Sequence, residues 1–240
     1  MSNDSDSKRG ASAADGHGEA DVAAGSIDER IERRWQQAYS VHTEDELQAF
    51  YDDWAREYDV DHETVGCDHH VTAAEVLSRH LPDRAARILD VGAGTGLAGI
   101  ELRRLGYGDV SAVDFSQAML DVARERDLYR AYWVMNLNRP LPGIEPDSFD
   151  AAIGVGIFSY GQVENGCLDE LLRIVRPGGC IAFTERTDFH ESNEMGFRER
   201  QEALEQSGRW ELLELTDPAP YLPEKEPDAM YRVWLYRVIE

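Results

Sequence analysis

The stretch "ILDVGAGTGLAGI", residues 88–100, constrains this chain more than any other. Ile88, Leu89 and Val91 read as a buried strand, and four glycines follow at Gly92, Gly94, Gly96 and Gly99. Glycine lets a backbone turn sharply and approach a ligand closely, and a helix behind such a turn offers free N–H groups. Strand, glycine turn and helix in that order open a parallel α/β unit.

The rest of the chain repeats that unit. Strand Arg87–Val91 precedes helix Leu97–Leu105, and strand Val110–Asp114 precedes helix Ser116–Asp127. A strand at Ala131–Met135 is followed by the loop "NLNRPLPGIEPDS", then strand Phe149–Val155 and helix Leu168–Val175. A "RPGG" turn leads to strand Cys180–Glu185 and helix Glu194–Gln206. Two last strands, Trp210–Thr216 and Tyr231–Val238, have no helix between them and read as an antiparallel pair at the sheet edge. Upstream, residues 1–26 are Ser, Asp, Gly and Ala with hardly an apolar anchor, the composition of a disordered acidic tail. Residues 27–82 read as helices: Ile27, Ile31, Trp35 and Ala38 share one face, and Val71–His80 forms a later helix. Between them Thr43 and Glu46 have capping-box spacing ahead of Leu47, Phe50, Tyr51, Trp54 and Tyr58. Residues 83–240 form the α/β core.

The glycine loop fits two codes. Gly94, Gly96 and Gly99 spell the GxGxxG of a nicotinamide site, while Asp90, Gly92, Gly94 and Gly96 spell the D-x-G-x-G-x-G of an S-adenosylmethionine site. A carboxylate at Asp90 suits an ammonium group and would face a pyrophosphate unfavourably. Asp114 ends the next strand, where a carboxylate accepts ribose hydroxyls in either kind of site. The chain closes with a strand pair instead of a second substrate domain. Together these favour the methyl-donor register.

The motifs "LDVGAGTG" at 89–96, "VDFSQAML" at 113–120, "NLNRPLP" at 136–142, "FDAAIGVGIFSY" at 149–160 and "LLRIVRPGG" at 171–179 resemble those of class I S-adenosylmethionine-dependent methyltransferases. With "FYDDWAREYD" at 50–59, the spacing further resembles the Williams-Beuren syndrome region methyltransferase-like group. The resemblance implies a Rossmann-like fold: a mostly parallel seven-stranded sheet with a C-terminal antiparallel strand pair and an N-terminal helical lid. It also implies S-adenosylmethionine as cofactor. Gly92, Gly94 and Gly96, with Ala93 and Leu97 beside them, would line the methionine moiety and ribose, and Asp90 would lie near the amino group. Asp114 would bind the ribose hydroxyls, Phe115 and Met119 would pack the adenine faces, and the backbone of Leu137 would read the ring nitrogen. Asn136 stands where related enzymes commonly carry an acid, and its amide oxygen would accept from the adenine amino group. Gly154, Val155 and Gly156 would pass near the methionine tail. In related enzymes the aromatic helix lids the donor, so Tyr51 or Tyr58 would touch it and Trp54 would pack.

Transfer from a sulfonium requires alignment above all, and a general base only where the acceptor must lose a proton. Candidates for such a base are His69, His70, Tyr160, Glu185 and Arg186, the last two being alternatively a salt bridge. His62, Cys67, His69 and His70 have metal-ligating chemistry, yet no second cluster completes a zinc pattern, and no metal is expected. The net charge of −23, with only Lys8 and Lys225 among the lysines, argues against nucleic acid and leaves a small-molecule acceptor as the expectation. No apolar run reaches membrane-span length and no apolar signal core opens the chain, so no membrane association and a cytoplasmic location are expected. Cys67, Cys167 and Cys180 are too scattered for a disulfide framework. Oligomeric state is not legible. Two other readings stay open: a module that holds the donor without transferring it, and a nicotinamide-dependent oxidoreductase.

Overall fold

A computed structural model describes residues 20–41, 43–159 and 163–239. The chain divides into a unit ending at Ser40 and a second unit from Val41 onward. The first contributes one helix, α1 (Ala20–Ser40), which begins seven residues before the expected Ile27. Ala20, Ala23 and Ala24 are strong helix formers and carry the helix into what composition alone assigns to the tail; the rest of that tail lies outside the described residues.

In the second unit, α2 (Glu44–Trp54) starts as its capping box dictates, with the Thr43 side chain accepting the Glu46 N–H. It stops at Trp54, so Tyr58 opens a separate short helix, α3 (Tyr58–Thr64), instead of continuing the same one. Helix α4 (His69–His80) follows. The core then runs β1 (Arg87–Val91), α5 (Leu97–Arg104), β2 (Asp109–Asp114), α6 (Gln117–Glu125), β3 (Tyr132–Val134), β4 (Phe149–Phe158), α7 (Cys167–Ile174) and β5 (Val175–Arg186). The expected helix at Glu194–Gln206 is α9 (Phe197–Gln206), preceded by a short α8 (Thr187–Ser192). Asn193 and Gly196, both at positive φ, separate the two.

Three strands close the chain: β6 (Trp210–Leu215), β7 (Ala219–Leu222) and β8 (Glu226–Val238). The sheet order is β3-β2-β1-β4-β5-β8-β6, with β7 paired to β8. β1 to β5 are mutually parallel, and β8 inserts between β5 and β6 antiparallel to both. The expected strand pair is thus present, and β7 is an additional strand that sequence reading treats as loop. Pro218, Pro220 and Pro223 conceal it, because proline cannot donate to a ladder and is tolerated only at an edge. Two apolar layers flank the sheet. Leu168, Leu171, Phe183, Trp210 and Tyr236 fill one, and Ala73, Leu77, Leu102, Val110 and Leu235 fill the other. Among the described residues no helix is long and apolar enough to cross a membrane.

Candidate active site: a cleft over the carboxyl ends of the strands

Strand order reverses between β1 and β4, the place where open α/β sheets hold ligands. A cleft opens there. Its floor is Gly92 and Gly94 after β1, Asp114 and Phe115 at the end of β2, and Val155, Gly156 and Ile157 near the end of β4. Met119 of α6 and Asn136, Leu137 and Asn138 after β3 complete one wall, and Val163 lies beyond β4. Glu44, Leu47, Tyr51 and Tyr58 cover it from α2 and α3.

Asp114 is the electrostatic centre of the floor. It is 6% exposed, Oδ2 accepts the Gly94 N–H at 2.8 Å, and Oδ1 accepts the Ser116 N–H at 2.8 Å. Burial raises its pKa from 3.8 to about 6, against the lowering effect of those backbone donors. Each oxygen keeps acceptor capacity for a ligand hydroxyl. A Cβ at Gly94 or Gly156 would meet no atom within 4 Å, so both positions leave open space for a ligand. A deep carboxylate beside glycine-bounded space suits a polar ligand with hydroxyl donors.

The cover is tied down by polar contacts that the sequence does not reveal. Asp52 of α2 accepts the Ser116 hydroxyl at 2.5 Å and the Ala118 N–H at 3.2 Å. Gln48 donates to the Phe115 carbonyl at 2.9 Å. Asp59 of α3 accepts the Thr95 hydroxyl at 2.5 Å and pairs with Arg126, so α3 is fastened to the glycine loop itself. Tyr51 meets Phe115 edge-on, with ring centroids 5.9 Å apart. Trp54 is buried below, donating its Nε1–H to Asp61 Oδ2 at 2.8 Å. Burial raises the Tyr58 hydroxyl well above the usual range and keeps it neutral.

Of the residues expected around a cofactor, Tyr51, Tyr58, Gly92, Gly94, Asp114, Phe115, Met119, Asn136, Leu137, Val155 and Gly156 line this cleft. Asp90, Ala93, Gly96, Leu97 and Gly154 are not among its lining. Asp90 is buried and accepts the Tyr129 hydroxyl at 2.5 Å. Gly96, at φ 96°, starts α5, and a Cβ there would lie 2.8 Å from Leu128. Gly154 gives its space to Ile157. Asn136 Oδ1 already accepts the Asn138 N–H at 2.8 Å, so part of its acceptor capacity is committed within the loop. Glu44 and Leu47 of α2 also line the cleft with no motif to mark them, and Asn138, Ile157 and Val163 do so within or beside the motifs after β3 and along β4.

The expected base candidates scatter. His70 is in the first turn of α4 and outside the cleft lining. His69 is buried, its Nε2 bonded to the Tyr221 carbonyl at 2.9 Å, and burial lowers its pKa to about 3. Cys67 Sγ lies 2.9 Å from the same nitrogen, while burial lifts the thiol to about 12. Glu185 and Arg186 do not pair with each other. Arg186 bridges Asp188 and Glu226, whereas Glu185 bonds His190 and Gln201. Neighbouring strand residues point to opposite faces, which is why the adjacent charges separate. Tyr160 lies outside the described residues.

Comparison with known proteins agrees with the cleft. Residues 88–179 match the family described as methyltransferase domain. The chain is 36% identical over 201 residues to human Methyltransferase-like protein 27, covering 81% of this chain and 80% of that protein. It is 41% identical over 107 residues to a demethylmenaquinone methyltransferase of Clavibacter sepedonicus, covering 43% and 42%. Among solved structures, a SAM-dependent methyltransferase from Thermotoga maritima superposes with a TM-score of 0.57 at 18% identity, covering 78% of this chain and 97% of that one. The geranyl diphosphate C-methyltransferase of Streptomyces coelicolor, in complex with S-adenosyl-L-homocysteine, gives 0.53 at 17% identity, covering 69% and 75%. At these identities the structural likeness speaks to fold.

Proposed function

The chain belongs to the class I S-adenosylmethionine-dependent methyltransferases, in the group of Methyltransferase-like protein 27, and on that premise we propose that it methylates an oxygen, nitrogen or sulfur atom of a small-molecule acceptor. S-adenosylmethionine is its cofactor, and when bound it supplies a methyl group already activated on sulfur. One observation carries the assignment of the donor site. Asp114 lies buried at the floor of the cleft with acceptor capacity on both oxygens, beside the open space at Gly94.

In this reading Asp114 holds the ribose hydroxyls, and Phe115, Met119 and Leu137 sandwich the adenine. The open space at Gly94 and Gly156 leaves room for the methionine portion, with Gly92 and Val155 lining it. Tyr51 and Tyr58 close the cleft from above, and their π faces and hydroxyls suit a cationic sulfonium. Helices α2 and α3 act as the lid, latched by Asp52 and Asp59. What the protein contributes to rate is alignment and exclusion of water. A small acceptor is supported by the net charge of −23, which repels phosphate backbones.

Calorimetric titration with S-adenosylmethionine, its demethylated product and NAD tests the donor site. Binding of both sulfur nucleotides and not NAD is expected, and binding of NAD alone would overturn the reading. Transfer of a labelled methyl group into a cell extract tests the acceptor. Label is expected in the low-mass fraction, and label confined to protein or nucleic acid would overturn the small-molecule assignment.

A further inference from the structure

A second cavity opens where β5 ends beside β8, with Glu185, His190, Leu215, Arg232 and Trp234 in its wall. In the β4–β5 register Glu185 is paired with Phe158, the residue after Ile157 of the cleft lining. Gly156, which lines the cleft, donates its N–H to Thr184 Oγ1 at 2.8 Å, and Glu185 is the next residue.

Glu185 is 2% exposed, and its Oε2 accepts from Gln201 Nε2 at 2.9 Å and from His190 Nδ1 at 3.0 Å. Its Oε1 is buried with no hydrogen-bond partner among the described residues. Behind it Gln201 is fixed in turn: Tyr236 donates to its side-chain oxygen and Trp210 to its backbone carbonyl, each at 3.2 Å. The histidine ring lies 4.6 Å from Trp234, centroid to centroid. With Nδ1–H given to the carboxylate, Nε2 carries a lone pair. Arg232 is opposite Glu185 in the β5–β8 pair, so both side chains share one face. It donates to the Thr216 carbonyl at 3.1 Å and makes no ion pair among the described residues.

A pair that served only to hold α8 on the sheet would not leave a buried carboxylate oxygen unpaired behind a histidine that lines a cavity. We propose that Glu185 and His190 form the general base of the methyl transfer, and that this cavity takes a planar acceptor bearing a hydroxyl, of the phenol class. The inference rests on the donor-cleft reading above. Trp234 and Leu215 provide a flat apolar wall, and a phenol at neutral pH needs a base to become a nucleophile. The hydroxyl proton passes to His190 Nε2, and Glu185 stabilises the imidazolium through Nδ1–H. The electron pair left on oxygen forms the new bond to carbon, and the pair of the carbon–sulfur bond that breaks stays on sulfur. Arg232 offsets the charge developing on oxygen, and the imidazolium then releases its proton to water.

The probe is 4-nitrophenol, whose visible absorption belongs to the phenolate. Below its own titration midpoint, wild type is expected to raise that absorption saturably. His190→Gln should cut the rise about tenfold or more, and Glu185→Gln should weaken it. Equal absorption with wild type and His190→Gln, or no binding at all, would overturn the proposal. If circular dichroism shows His190→Gln unfolded, Arg232→Met is read instead and should lower the phenolate fraction, an unchanged fraction counting against the site. Calorimetry with S-adenosylmethionine on the same samples separates the two readings. Intact donor binding with no phenolate signal overturns the base, and a phenolate signal without donor binding overturns the donor cleft.

Discussion

The Tyr129 hydroxyl donates to Asp90 Oδ2 at 2.5 Å, and the bond exists because Gly99 has no side chain. A Cβ at Gly99 would lie 2.3 Å from the same hydroxyl oxygen. The two glycine codes of the loop therefore divide between two tasks. Gly92 and Gly94 border the cleft, while Gly99 admits the tyrosine that holds the aspartate at the end of β1.

Burial raises the Asp90 pKa from 3.8 to about 7, despite the bond from Tyr129 that acts to lower it. The folded value is above the unfolded one, so the contribution of Asp90 to stability is full below about pH 4. It is lost as pH rises through about 7. Asp90→Asn keeps an acceptor for Tyr129 and cannot ionise. Its Tm relative to wild type is expected to rise by a few degrees between pH 5 and pH 8. Calorimetric melts at the two pH values decide this, and a Tm difference that does not change with pH would count against it.

Gly99→Ala sets helix propensity against packing. Position 99 is inside α5, where alanine is favoured over glycine by about 1 kcal/mol. The clash with the Tyr129 ring outweighs that gain, because the ring is buried and held by Asp90. A net destabilisation of roughly 1–3 kcal/mol is expected in urea denaturation. A stabilised variant would show that Tyr129 is free to move aside.

Most of the fold is legible in the chain because strands and helices announce themselves by period and by punctuation. Thr43, Ser116 and the glycine loop set three boundaries through local chemistry that acts at any tertiary position. Strand β7 is not legible, since its prolines read as loop until β8 offers an edge to pair with. In the cleft, Asp114 and the backbone-lining glycines are legible because the turn that carries them is local. The orientation of Asp90 depends on Tyr129, 39 residues away, and the partner of Glu185 is His190, which no motif marks. Contacts of Asp52 and Asp59 with the core are equally invisible, because a single acidic residue on a helix looks like a solvated face.

Asp114 predicts a pH dependence of donor binding. With its pKa raised to about 6 by burial, the free protein holds this carboxyl mostly protonated at pH 5 and mostly ionised at pH 7. Only the ionised form accepts from two hydroxyls without first giving up a proton. Affinity for S-adenosylmethionine is therefore expected to weaken about tenfold from pH 7 to pH 5. Asp114→Asn should bind more weakly at pH 7 and lose most of that slope. Titrations at both pH values test it, and a wild-type affinity that is flat across the interval would mean the carboxylate does not meet the ligand.

Gly94→Ala and Gly96→Ala separate the binding role of the loop from its structural role. Both positions have positive φ, 54° and 96°, so alanine strains the backbone at either by about 1 kcal/mol. Beyond that shared cost their surroundings differ. The Gly94 methyl would enter open space in the cleft, whereas the Gly96 methyl would strike Leu128 at 2.8 Å against Ala123 and Tyr129. Gly94→Ala is expected to keep a Tm within several degrees of wild type while losing S-adenosylmethionine affinity tenfold or more, at about 1.4 kcal/mol per tenfold. Gly96→Ala is expected to lose more stability, roughly 1–3 kcal/mol beyond the strain, through the crowding behind α5. Parallel melting and calorimetric titration of the two variants check the division. If Gly94→Ala binds the donor as wild type does, the open space beside Asp114 is not where the ligand lies.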